Sequence, residues 1–142
     1  MEKVKFAALQ IIDYKVTGGY FQAVSETPKV SANLQALPVS VDYSILTDKA
    51  DGVLIDVEVK CNTSTKPKPG YSFEFSAQAK FEIDVELENR DQLIMYSGLP
   101  MVINNLRGYL STITAQSWFG PYLLPAIDVN DVIQKHIKNQ EK

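Results

Sequence analysis

His136 is the chain's single histidine and Cys61 its single cysteine, so a nucleophile and base pair would have to be built around one or both of them. Neither is well placed. His136 stands among Gln134, Lys135 and Lys138 near the end of a helical pattern, where a solvated face is expected. Cys61 falls on the apolar side of a strand pattern and is expected as a small buried core residue; one cysteine makes neither an internal disulfide nor a zinc site. Glu82, Asp84, Glu86 and Glu88 supply carboxylates for a metal or acid–base site, but they recur at every second residue. That spacing makes a comb along one wet strand face. With Glu74, the residues Glu82, Asp84 and Glu86 form a candidate partner-docking face instead. The Gly18-Gly19 pair lacks the surroundings of a phosphate-binding loop and suits a bulge or bend. No catalytic set, metal site or cofactor is expected, and the chain does not read as an enzyme.

One stretch without a charged residue is more telling. Residues 118–127 read Trp-Phe-Gly-Pro-Tyr-Leu-Leu-Pro-Ala-Ile, too broken by proline and glycine for a helix or a central strand. Its large side chains are expected either to plug the core or to wall an open apolar groove.

The elements that would position this loop follow from periodicity. Residues 71–87 alternate apolar and polar throughout, the pattern of a strand with one buried face. Straight, it would run ~56 Å, against a radius of gyration of ~14 Å for a compact chain of this length; it must bend, break or reach a partner. Before it, residues 37–45 and 53–62 alternate cleanly, with hairpin loops at 47–52 and 63–70. Residues 4–16 form a first strand whose phase slips between Ala8 and Leu9, as a bulge would produce, and which runs on through Tyr20 and Phe21. A connection over 22–37, unusually long, implies a crossover between this strand and the next. After Asn89 the period becomes helical. Asp91 caps a short turn through Tyr96, Ser97-Gly98 interrupts it, and Pro100 starts a longer helix ending near Ser117 with Ile103, Leu106, Leu110 and Ile113 on one face. Gly108, Ser111, Thr112 and Ala115 leave the rest small enough for another helix to approach. Asp128 caps a last helix with a Val129, Val132, Ile133 and Ile137 stripe. The plan is α+β: a four-stranded antiparallel sheet with a long crossover after strand 1 and two C-terminal helices packed on one face, in one domain over 1–142.

Composition narrows the classes. The 142 residues are 45% hydrophobic and 22% charged, ordinary for a folded domain. A net charge of -3 gives no footprint for nucleic acid. No apolar run reaches the ~18 residues of a membrane span, and the first residues lack a signal peptide's apolar core. A cytoplasmic protein with no direct membrane insertion is expected.

The Pro100 helix with Arg107, followed by Phe119-Gly120-Pro121-Tyr122-Leu123-Leu124-Pro125-Ala126-Ile127-Asp128-Val129, resembles the signature of the SecB-type export chaperones, as do the strand order and the crossover. The resemblance covers most of the chain, at low identity. It implies an ATP-independent holdase for unfolded or precursor polypeptides, assembled as a dimer of dimers. Its client groove would be walled by Val30, Leu34 and Leu37 of the crossover, Val39, Val41 and Tyr43 of strand two, and Phe119, Tyr122, Leu123 and Leu124 of the loop. Its oligomer interface would use Gly108, Ser111, Thr112 and Ala115. Members that deliver clients to the motor ATPase SecA use acidic residues on the outer sheet face. Glu74 sits where one belongs, while Gly18 and Gly19 stand where others are expected. Solitary SecB-like chaperones that protect an antitoxin belong to the same family, so the alternatives are a chaperone dedicated to one such partner and a non-chaperone assembly module.

Overall fold

The computed structural model describes residues 3, 7–25, 32–84, 86 and 88–141. Strand β1 is Leu9–Val24, β2 Val39–Asp48, β3 Gly52–Cys61 and β4 Gly70–Ile83. They form one antiparallel sheet in the order β1-β4-β3-β2. The connection after β1 therefore carries the chain from one edge of the sheet to the other, closing on a short 3-10 turn, Leu34–Ala36, beside Leu37. Val4 and Phe6 of the expected first strand lie outside the described residues.

Strand β4 shows why the alternation was so clean. Tyr71, Phe73, Phe75, Ala77, Ala79, Phe81 and Ile83 are all buried, because this strand has a neighbour on each side and helices over its inner face. Its surplus length is resolved by a break at Ile83. Asp84 and Glu86 leave the strand in a turn, with Glu86 N–H donating to Asp84 Oδ1 at 3.1 Å. The carboxylate comb consequently stops at Glu82. Val85 and Leu87 lie outside the described residues.

β1 is bulged at two places, between Ile11 and Asp13 and between Val16 and Gly18, rather than at Ala8–Leu9, where the strand begins. Each extra residue restores the inner phase, so that Leu9 and Ile11, then Tyr14 and Val16, then Phe21 and Ala23 all face inward. Gly19 has φ 147°, and a Cβ there would sit 2.3 Å from the Glu74 carbonyl oxygen; only glycine fits. β2 begins two residues later than the alternation suggested and runs on to Asp48 through a shift between Ile45 and Thr47.

The helical region is more continuous than expected. α1, Arg90–Leu93, runs without a break into a π-helical segment, Ile94–Gly98, and then into α2, Leu99–Thr114. Ser97-Gly98 does not interrupt it: the π segment carries the helix through, and the buried Gly98 lies against the sheet, where an added Cβ would stand 3.4 Å from Ile55 and from Leu9. α2 buries Leu99, Val102, Ile103, Leu106, Leu110 and Thr114, with Ile113 half-buried. α3, Val129–Gln140, is capped by Asp128, whose carboxylate accepts Asp131 N–H at 3.3 Å. No helix among the described residues is long and apolar enough to cross a membrane.

Candidate functional site

Residues 118–127 cross one end of the sheet's inner face as a strap that opens in a turn, closed by Gly120 N–H donating to Ser117 O at 3.0 Å, and runs on without helix or strand; side chains from three elements fasten its backbone. Tyr71 on β4 donates its hydroxyl to Gly120 O at 2.7 Å and accepts Phe119 N–H at 3.0 Å. Thr114, at the end of α2, accepts Tyr122 N–H at 2.8 Å. Arg107 Nε donates to Leu124 O at 2.7 Å, and Gln35 of the crossover donates to Leu123 O at 3.0 Å. Each bond satisfies a backbone group that a loop without ladder partners would leave bare.

This fastening decides which side chains face the core. Tyr122 and Leu124 are buried. The Tyr122 ring meets Phe73 edge-on at 5.1 Å, and its hydroxyl lies 3.9 Å from Cys61 Sγ. Burial, then the neighbouring Cys61, raises the Tyr122 phenol, and burial pushes the Cys61 thiol up to about 11. Both groups stay neutral and serve packing. Between them the strap turns Leu123 outward, 55% exposed, and just ahead of them Trp118 is 58% exposed. Phe119 is half-buried against Tyr71, centroids 5.5 Å apart, and Tyr71 in turn meets Phe21 at 6.1 Å.

The expected groove wall is thereby divided. Leu34 and Leu37 pack close to Gly70, Leu34 half-buried and Leu37 buried, and with Phe119 and Leu123 they belong to the strap end. Val39 and Val41, both half-buried, line a cleft of about 460 Å3 between the β2 edge and α3, together with Ile127, Asp128, Val132 and His136. Tyr122 and Leu124 are core plugs, not wall, because Thr114 and Arg107 hold the strap with those two residues inward. Tyr43 is buried under α3 with His136 stacked on it at 4.2 Å. Val30 lies outside the described residues. Trp118 carried a signal that the resemblance did not single out: a tryptophan at the head of the apolar loop.

The other expected surfaces separate as well. Glu74 and Glu82 stay on the outer sheet face, but Lys60 lies 3.7 Å from Glu74 and 3.3 Å from Glu58, so Glu74 is already paired. Asp84 and Glu86 are in the turn, off that face. On α2, Gly108, Thr112 and Ala115 are exposed and Ser111 half-buried; a Cβ at Gly108 would meet nothing within 4 Å. That small stripe faces away from the sheet. No cluster of three or more metal-ligating side chains occurs among the described residues.

His136 departs most from its expected setting. Its side chain is 17% exposed, with Nδ1 2.9 Å from Asp42 Oδ1. Its spacing from Val129 and Val132 already put it on the helix's inward side.

No family model matches the chain, and no curated protein does. Among solved structures, it is similar to a SecB-like chaperone of Mycobacterium tuberculosis in complex with a ChAD peptide from the HigA1 antitoxin: TM-score 0.52, 15% identity, covering 85% of this chain and 91% of that one. A protein of unknown function from Streptococcus agalactiae aligns with TM-score 0.46 and 13% identity over 85% of this chain and 100% of that one. The four-stranded antiparallel sheet with a long and a shorter helix is a distant SecB-like fold.

Proposed function

We propose that this chain is an ATP-independent holdase that binds extended, non-native polypeptide at the outer side of the strap. The observation that carries the reading is that Trp118 and Leu123 point outward from a loop held from both sides by hydrogen bonds. A floppy loop would bury such side chains by collapsing; a fixed one presents them. Covering each by a client's apolar side chain is worth about 1.5–3 kcal/mol, enough for reversible holding when several such contacts add. The free edge of β2 offers backbone groups to the same extended client, with little demand on its sequence. The shared fold with a chaperone seen with an antitoxin peptide supports polypeptide as the ligand class.

In this reading the chain works without catalysis or cofactor, in the cytoplasm, as a homo-oligomer of the dimer-of-dimers kind joined through Gly108, Ser111, Thr112 and Ala115. Unfolded or precursor polypeptides for export are its clients, with SecA a partner that Glu74 and Glu82 would meet. The second reading is a chaperone dedicated to one partner such as an antitoxin, which the same neighbour favours. Light scattering of a chemically unfolded, aggregating protein, diluted into a stoichiometric amount of this chain, tests the first. Suppression is expected, and a folded chain that suppresses nothing would sink it. Affinity capture from the native host separates the two, with many precursors expected and one dominant partner favouring the dedicated role.

A further inference from the structure

The corner of the sheet that carries the strap has a charge of its own. Glu58 and Glu74 lie one step short of it, and both pair with Lys60. Beyond that level the segments that meet at the corner are 21–25, 33–38, 61–73 and 115–124, and Lys66 and Lys68 are their only charged residues. Both are exposed, and neither has an ion pair among the described residues. The carboxylates at the start of α3 are already engaged: Asp128 caps the helix, and Asp131 pairs with Lys135 at 2.9 Å. At the opposite end of the sheet the sign reverses, with Asp51, Glu82 and Asp84 around one hollow and Asp48 and Asp91 around Arg90. A chain of net charge -3 thus keeps a positive corner where it exposes Trp118 and Leu123.

The loop that bears these lysines is fixed. In Lys66-Pro67-Lys68-Pro69 each lysine precedes a proline, which restricts its backbone to extended conformations. Asn62 takes both backbone groups of Lys68: its Oδ1 accepts Lys68 N–H at 2.9 Å, and its Nδ2 donates to Lys68 O at 2.8 Å and to Tyr71 O at 3.0 Å. The Tyr71 hydroxyl in turn holds the strap at Phe119 and Gly120. Two side chains therefore tie the lysine loop to the strap, so little ordering is left to be done when a ligand arrives.

We infer that the outer side of the strap selects polypeptide segments in which aspartate or glutamate stands beside apolar residues, Lys66 and Lys68 meeting the carboxylates while Trp118 and Leu123 meet the apolar side chains. This names the client class for the proposed holding role and rests on it. Nucleic acid would need many more than two cations to displace its counterions, and an anionic lipid surface is held by larger basic clusters than this one.

Trp118 emission reads the selection. Three tryptophan-free peptides of one length and one set of apolar residues, differing only in carrying Asp and Glu, Ser and Gln, or Lys, are titrated into the full chain. The acidic peptide is expected to bind about tenfold tighter than the neutral one, the sum of two exposed ion pairs, and the basic one more weakly than either. Raising the salt from about 0.01 M to about 1 M, which shortens the screening length from about 30 Å to about 3 Å, should erase the difference. The double variant Lys66→Gln/Lys68→Gln should lose the preference while its melting temperature and its affinity for the neutral peptide stay unchanged, and Lys66→Glu/Lys68→Glu should favour the basic peptide. Equal affinities for the acidic and basic peptides, or a preference that survives Lys66→Gln/Lys68→Gln, would overturn the selection and leave holding intact. An anionic oligonucleotide or a phosphatidylserine vesicle that binds as tightly as the acidic peptide would overturn polypeptide as the partner. No emission change with any peptide would contradict the holding site itself, and the selection with it.

Discussion

Tyr71 holds the strap with one hydroxyl that both donates and accepts. Tyr71→Phe keeps the ring contacts with Phe21 and Phe119 but leaves Phe119 N–H and Gly120 O without it. A loss of about 1–3 kcal/mol is expected by urea unfolding, with faster proteolysis within residues 118–121. Asn62 does comparable work at the same end of the sheet, on the carbonyl side of Tyr71. With φ 56° it adopts the left-handed turn that asparagine tolerates, and its side chain bonds Lys68 N–H, Lys68 O and Tyr71 O. The alternation carried Asn62 as the last residue of its strand, and the turn and the three bonds were not legible there, since they depend on how the 63–70 loop returns. Cys61 gives a pH prediction. Its buried thiol titrates at about 11, whereas an unfolded thiol loses its proton near about 8.5. The folded value is raised, so this contribution to stability is whole below pH 8.5 and is lost as the pH climbs toward 11. Urea midpoints should fall across that window, and less steeply in Cys61→Ala. Native Cys61 should resist alkylation at pH 8 and react once unfolded.

At the scale of the element, period two made β3 and β4 legible because each has one face pressed under a helix and one in water; in the edge strand β2 the same alternation holds Val39, Val41 and Tyr43 inward, while Ile45 is exposed. β1 was harder. Its two bulges each shift the phase by one, so no single alternation runs its length, and the slip at Ala8–Leu9 marked the right strand at the wrong place. Gly19 was visible as a bulge or bend, but its reason is the Glu74 carbonyl pressed against it. Gly19→Ala should cost more than the ~1–2 kcal/mol typical of a surface loop change, measured by thermal unfolding. The helix N-terminus was misjudged for the opposite reason: Ser97-Gly98 looks like a stop, yet tertiary packing on Ile55 and Leu9 overrides that propensity through a π turn. The strap divides the same way. Its sequence announced an apolar loop, whereas the assignment of Tyr122 and Leu124 inward and Leu123 outward was set by Thr114 and Arg107 on the preceding helix and by Gln35 from the crossover, bonds that only the folded chain brings together. His136 was hidden by its charged neighbours, although its helical spacing from Val132 pointed to the inner side. On α2 the small stripe is a surface property of the element. If it joins copies of the chain, Gly108→Arg should lower the sedimentation coefficient without lowering the melting temperature, since nothing in the subunit lies within 4 Å of that site.

For the molecule as a whole, the sheet order explains why the apolar side chains are where they are. A crossover that joins the two edges brings Leu34 and Gln35 to the strap at the same end of the sheet as Phe21, so one corner gathers apolar residues from four parts of the chain. What holds the corner together is buried, and what is left outside is a tryptophan and a leucine on fixed backbone. The most direct test uses Trp118, the only tryptophan in the chain, as its own reporter. Titrating the protein with an unfolded, tryptophan-free polypeptide should shift Trp118 emission to shorter wavelength with saturable stoichiometry. Leu123→Ser should weaken that binding about tenfold, in keeping with one lost apolar contact, and the same polypeptide in its folded form should produce no shift. Emission that stays fixed through a saturating excess of unfolded chain, or that shifts equally with the folded form, would contradict the account.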